Sequence, residues 1–162
     1  GEVRNSFHRY KFKERTDYAK PYGGLMAQCV QTHLPGRYDL ITWVPLSAKS
    51  FQKRGYDQAM LLAMAVGLAL DSVAVETLTK PRVTDVQSSL PEDAARRANV
   101  LGAYEAADVE LIAGKRILLI DDIITTGSTL SECARVLRTA EASDVVCCTL
   151  ARARKDAPQR NH

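Results

Sequence analysis

One stretch constrains this chain more than any other: Ile117-Leu118-Leu119-Ile120-Asp121-Asp122-Ile123-Ile124-Thr125-Thr126-Gly127-Ser128-Thr129. Its aliphatic half, entered from Arg116, predicts a central strand over residues 116–120. The paired carboxylates of Asp121 and Asp122 leave the C-terminal end of that strand, where open α/β sheets bind ligands. The Thr-Thr-Gly-Ser-Thr run then turns into a helix, aiming backbone N–H groups and hydroxyls at one point. The positive end of the helix dipole lies behind them. Thr129 is expected to open and cap that helix, with Glu132 returning a bond to the cap's own N–H. A phosphate cradle beside two acids suits a phosphorylated sugar. Thr125, Thr126, Gly127, Ser128 and Thr129 would hold the phosphate, and Asp121 and Asp122 the neighbouring ribose hydroxyls. An ordinary strand–turn–helix with an acidic cap is the plainer alternative. Neither G-x-x-x-x-G-K-[ST] nor G-x-G-x-x-G occurs, which removes the nucleotide P-loop and the dinucleotide fingerprint.

The rest of the chain alternates helical and strand patterns around this motif. Residues 18–33 read as helical and end at the turn signal Pro35-Gly36. Leu40 to Val44 is a short apolar run, hence a buried strand, and Ser72 to Val75 is a weaker strand candidate. Ala59, Leu62, Ala63, Val66, Ala69 and Leu70 recur at the spacing of an amphipathic helix. Thr79 to Val100 is a long polar excursion with Pro81 and Pro91, and connections of that length in a compact domain are often functional. Val145 to Leu150 is a further buried strand, with Trp43 and Tyr104 expected in the core and Gly102 in a turn. Strands alternating with helices imply an α/β fold with a mostly parallel central sheet flanked by helices. The expected organisation is one compact domain: an N-terminal helical segment at 1–35, the main domain at 36–155 and a tail at 156–162.

Composition removes several function classes. The 22 basic and 19 acidic residues leave +3, too little to argue nucleic-acid binding by itself. The longest apolar stretch, Ala59 to Leu70, is too short to span a bilayer, and no secretory signal is visible, so no membrane partner is expected. Cys29, Cys133, Cys147 and Cys148 contain no C-x-x-C pair, and neighbours on a strand point to opposite faces. Buried free thiols in a reducing cytoplasm fit better than a disulfide framework or a zinc site. One local pattern points the other way on nucleic acid. Arg4, Arg9, Lys11, Lys13 and Arg15 alternate with Phe7, Tyr10 and Phe12, the pairing that single-stranded DNA binding uses. A short helix packing its aromatics on the core gives the same pattern.

The central motif resembles, position by position, the phosphoribosyl pyrophosphate signature of type I phosphoribosyltransferases: four apolar residues, two acids, two apolar residues, then Thr-Thr-Gly-Ser-Thr. Two further segments are similar to ComF-family competence proteins. Val44-Pro45-Leu46, Lys49 and Arg54-Gly55-Tyr56-Asp57-Gln58-Ala59 follow that family's V-P-L-H, a basic residue and R-G-F-N-Q-A. Ser47, Tyr56 and Asp57 depart from it, and Asp57 puts a negative charge where the pattern has Asn. Arg96 to Tyr104 follows R-x-x-N-V-x-G-A-F, with Tyr104 in place of Phe. The resemblance covers about Arg4 to Arg154. Many ComF proteins carry a cysteine-rich zinc ribbon ahead of this domain, and this sequence holds none, as expected of a short member or a trimmed one.

The resemblance implies a type I phosphoribosyltransferase fold with a mobile hood. It implies phosphoribosyl pyrophosphate as donor, with magnesium carried on the donor rather than by protein ligands. Lys49 and Arg54 would then meet the pyrophosphate, the alternative being a solvated basic loop. Gln87, Ser88, Arg96 and Asn99 would belong to the hood, or else to an exposed loop with a structural Arg–Asn pair. Family membership further implies a cytoplasmic role in natural competence and DNA uptake, with partners such as a DNA-uptake helicase. Three activities follow as expectations: transfer of phosphoribose to an acceptor, donor sensing without transfer, and purine or pyrimidine salvage.

Overall fold

The computed structural model describes residues 19–46, 52, 57–81, 102–124 and 127–152, with the side chains of 124, 151 and 152 excepted. The fold is built outward from one strand. In β4, Arg116–Ile124, Ile117, Leu118, Leu119 and Ile120 are all fully buried, so both faces of the strand are covered. It lies between β1, Leu40–Trp43, and β5, Asp144–Arg152, in parallel register with each. Alternation assigns the side chains to two cores. Leu40, Ile117, Leu119 and Val145 face one side, and Ile41, Trp43, Leu118, Ile120 and Cys148 the other.

Helices cover both faces. Residues 19–33, α1, and Gln58–Leu70, α2, share the second core through Met26, Val30, Leu62 and Val66. They approach closely because Gly23 has no side chain to strike Ala65. The inward stripe of α2 follows the sequence reading through Val66. There Gly67 turns inward, while Ala69 and Leu68 face out. The helix has no charged residue, and Met64 and Leu68 are exposed, so it is less amphipathic than its spacing suggests. The first core is closed by a four-residue helix α3, Val109–Ile112, and by α4, Ser128–Thr139, which contributes Leu130, Cys133, Ala134 and Leu137.

Two smaller features position the site. Residues 73–75 run beside β1 through a single parallel bridge, Ile41 to Ala74, rather than as the separate strand suggested by Ser72 to Val75. The chain then forms a two-stranded antiparallel ladder, β2 at Leu78–Thr79 with β3 at Glu105–Ala106. A buried hydroxyl pair, Thr42 Oγ1 to Thr77 Oγ1 at 2.6 Å, ties that ladder's approach to β1. Cys133 and Cys148 are buried but Cys29 and Cys147 are exposed, correcting the expectation that all four thiols are hidden. Cys147 and Cys148 do take opposite faces of β5.

Candidate functional site

The acids stand where the strands end unevenly. β1 stops at Trp43, whose register partner is Ile120, and Val44 N–H makes the last bond across, to Ile120 O at 3.0 Å. β4 instead runs on through both acids to Ile124, paired on its other side with β5. The carboxylates therefore lie inside a nine-residue strand and not beyond its end, which corrects the sequence boundary of residues 116–120. Because β1 has already ended, the acids overhang an open space.

That space is a hollow lined by Val44, Pro45 and Leu46 from the exit of β1, and by Asp57, Gln58 and Ala59 at the start of α2. Asp121 and Asp122 form its floor, Thr129 one wall, and Lys80 and Tyr104 another. Asp121 is buried, and Asp122 is partly exposed. Each carboxylate accepts the next residue's N–H, Asp122 N to Asp121 Oδ1 at 2.9 Å and Ile123 N to Asp122 Oδ1 at 2.8 Å. Burial, then the adjoining Asp122 carboxylate, pushes the Asp121 carboxyl up to about 7. Among the described residues, neither acid has a cationic partner.

Asp57 is a third acid at this rim, and its position explains the departure from Asn. One of its oxygens caps α2 by accepting Met60 N–H at 3.2 Å, and the other accepts Leu46 N–H at 3.2 Å. An Asn has one carbonyl oxygen and could not accept both bonds at separate atoms. Asp57 therefore clamps the exit of β1 to the head of α2. Burial raises its carboxyl from the usual aspartate value, against the backbone N–H groups that lower it.

The helix that follows the acids, α4, begins differently from expectation. Gly127 is its N-cap with φ +78, a conformation that favours glycine, and no side chain caps the helix. Ser128, not Thr129, is the first helical residue. Glu132 does not bond back to the cap. It accepts Gly102 N–H at 3.2 Å and Arg135 Nε–H at 2.9 Å, so it anchors the returning chain to α4. Gly102 occupies a turn at φ +74 and Tyr104 is buried, as the sequence indicated, yet Tyr104 also forms part of the wall. Burial pushes its phenol far up, partly offset by the Thr129 hydroxyl.

The structure thus brings together Asp121, Asp122 and Thr129 around one hollow, with Gly127 and Ser128 on the adjoining turn. Thr125, Thr126, Lys49, Arg54, Gln87, Ser88, Arg96 and Asn99 lie outside the described residues. Sequence reasoning missed Lys80 as a wall residue and gave Tyr104 only to the core. The one local signal for Lys80 was its place at the start of the polar excursion, between Thr79 and Pro81. Among the described residues no group of three His, Cys, Asp or Glu side chains is disposed to hold a metal ion, and no helix is long and apolar enough to cross a membrane.

Residues 52–162 match the phosphoribosyl transferase domain family. The chain is 34% identical over 140 residues to the DNA utilization protein YhgH of Salmonella typhi, covering 80% of this chain and 58% of that protein. It is 31% identical over 151 residues to competence protein F of Haemophilus influenzae, covering 90% and 66%. The chain therefore spans between 58% and 66% of these relatives' own length. Glutamine phosphoribosylpyrophosphate amidotransferase from B. subtilis superposes with a TM-score of 0.54 at 25% identity, over 80% of this chain and 25% of that one. A match over most of its length, an α/β fold with a parallel sheet and relatives named for competence establish that this chain belongs to the phosphoribosyl transferase domain family, in its ComF branch.

Proposed function

We propose that the chain binds phosphoribosyl pyrophosphate and transfers its phosphoribosyl group. The observation that carries this reading is the overhang: two carboxylates without a cationic partner among the described residues, beside a glycine-capped helix start, in a phosphoribosyl transferase fold. Asp121 and Asp122 accept hydrogen bonds from the ribose hydroxyls, and the turn from Thr125 to Thr129 takes the 5′-phosphate. Lys49 and Arg54 meet the pyrophosphate, and Gln87, Ser88, Arg96 and Asn99 belong to a hood that keeps water from the cationic sugar. Magnesium, carried on the donor's own oxygens, would neutralise part of the pyrophosphate charge. Catalysis is then chiefly positional and electrostatic.

Relatives named for competence and DNA utilization rather than for a transfer reaction favour a second reading, donor sensing without transfer. Both readings place the protein in the cytoplasm beside DNA-uptake components, a helicase or single-stranded DNA among them. Two measurements separate these possibilities. With magnesium and donor at a hundred times the dissociation constant, linkage raises stability by about 2.7 kcal/mol, visible in a thermal scan. Pyrophosphate release with candidate acceptors then reports transfer. A donor-dependent shift without release leaves sensing, and no shift at saturation removes both.

A further inference from the structure

Resting on the donor reading above, we propose that Tyr104 is a positioning residue for the sugar phosphate: its hydroxyl donates to Thr129, whose own proton then points to the phosphate. Both residues line the hollow, and their hydroxyls are hydrogen-bond partners. A phosphate dianion offers only acceptor oxygens, so a threonine holds it by turning its single hydroxyl proton that way. Any further partner of that hydroxyl must then be a donor. The Tyr104 phenol meets this need, because burial pushes its ionisation far up and it keeps its proton. Two hydroxyls in line, ending on an anion, polarise each other in one direction.

The pair is held by backbone that already has its partners. Tyr104 is 6% exposed, and Ala103 before it is fully buried. Gly102 N–H donates to Glu132 Oε1 at 3.2 Å, and Glu132 is itself held by Arg135 Nε–H at 2.9 Å. Directly after Tyr104, Glu105 and Ala106 pair with Thr79 and Leu78. Thr129 stands three residues before Glu132 on α4. One helix therefore carries both the threonine and the anchor of its tyrosine partner. The ComF pattern has Phe at this position, so the ring suffices for packing and the oxygen is left for the site.

The test compares Tyr104→Phe, Thr129→Val and the variant carrying both. Affinities for phosphoribosyl pyrophosphate, ribose 5-phosphate and inorganic pyrophosphate are measured with magnesium by calorimetry, and melting curves check the fold. Loss of one neutral hydrogen bond in Tyr104→Phe should weaken the two sugar phosphates about threefold to tenfold and leave pyrophosphate within about twofold. Added to Thr129→Val, the same change should cost less than about twofold more, because the tyrosine acts only through the threonine. A tyrosine that merely packs would lower the melting temperature without this selectivity. Should Tyr104→Phe fail to fold, Tyr104→Met, which also lacks the hydroxyl, is read in the same way. Unchanged ribose 5-phosphate affinity, an equal loss for pyrophosphate, or the full loss repeated on Thr129→Val overturns the assignment while leaving the donor reading in place. Wild-type protein that binds none of the three overturns both.

Discussion

The two ends of the same three strands treat their acids in opposite ways. At the N-terminal edge, Asp39 accepts three bonds from Arg116, from backbone N, Nε and Nη2 at 2.8, 3.2 and 2.9 Å. Arg116 also reaches Gly36 O at 2.9 Å, and Arg37 pairs with Asp144 at 3.4 Å. These contacts join the starts of β1, β4 and β5, and the guanidinium of Arg116 holds the Asp39 carboxyl down at about 2. At the C-terminal edge Asp121 and Asp122 face each other and Asp57, and the Asp121 carboxyl lies near 7. One end satisfies its charges within the protein. The other leaves its acids without a cationic partner among the described residues, the arrangement expected of the proposed binding site rather than of a stabilising network.

The largest effect expected from this contrast is at the open end. Asp121→Asn and Asp122→Asn should each cost donor binding on the order of 1.5–3 kcal/mol, since each removes a charge-assisted acceptor. The ligand-free melting temperature should hold or rise, because two facing acids are lost while the amide oxygen of Asn can still accept Asp122 N–H. Calorimetry beside thermal scans decides it. Lower stability with intact binding would mean the acids are structural.

A second effect sharpens the contrast through pH. Asp39, lowered from 3.8 to about 2 on folding, gives stability that is present above the unfolded value and lost as pH falls through 2. Asp121, raised from 3.8 to about 7, works in reverse: the folded state holds its proton more tightly, so stability falls as pH rises from about 4 to about 7. Denaturant titrations across pH should show both limbs, and Asp121→Asn should remove only the upper one. An upper limb that survives that substitution would assign it to another group.

The smallest effect belongs to the closed end. Arg116→Met breaks an exposed ion pair, so it should shift the melting temperature only slightly and leave donor affinity unchanged. A large loss of donor binding there would show that the two edges are coupled.

Much of the open end was legible in the sequence because its signals are local. The aliphatic run, the two acids and the glycine-bearing turn lie within a dozen or so residues and constrain one another. What escaped depends on partners distant in the chain. Nothing near Asp122 says that β1 stops short, nor that β5 extends to hold β4 straight past the acids. Glu132 has the spacing of a capping box with Thr129, but its partner is Gly102, 30 residues away, and Gly127 caps the helix by backbone conformation instead. Asp57 looked like a stray charge until Leu46 and Met60 were found on its two oxygens. Lys80 became a wall residue only when β2 paired with β3.

The most direct test of the open end is calorimetric titration of the wild type with magnesium and phosphoribosyl pyrophosphate near pH 6.5, in two buffers that differ in ionisation enthalpy. Burial and the neighbouring Asp122 raise the Asp121 carboxyl, so it holds its proton to higher pH than an ordinary aspartate and must give it up to accept the ribose fully as a carboxylate. Binding should release a proton to the buffer, the apparent enthalpy should differ between buffers, and the difference should vanish in Asp121→Asn. Absence of donor binding at saturation, or tight binding that releases no proton and survives Asp121→Asn, would contradict the account.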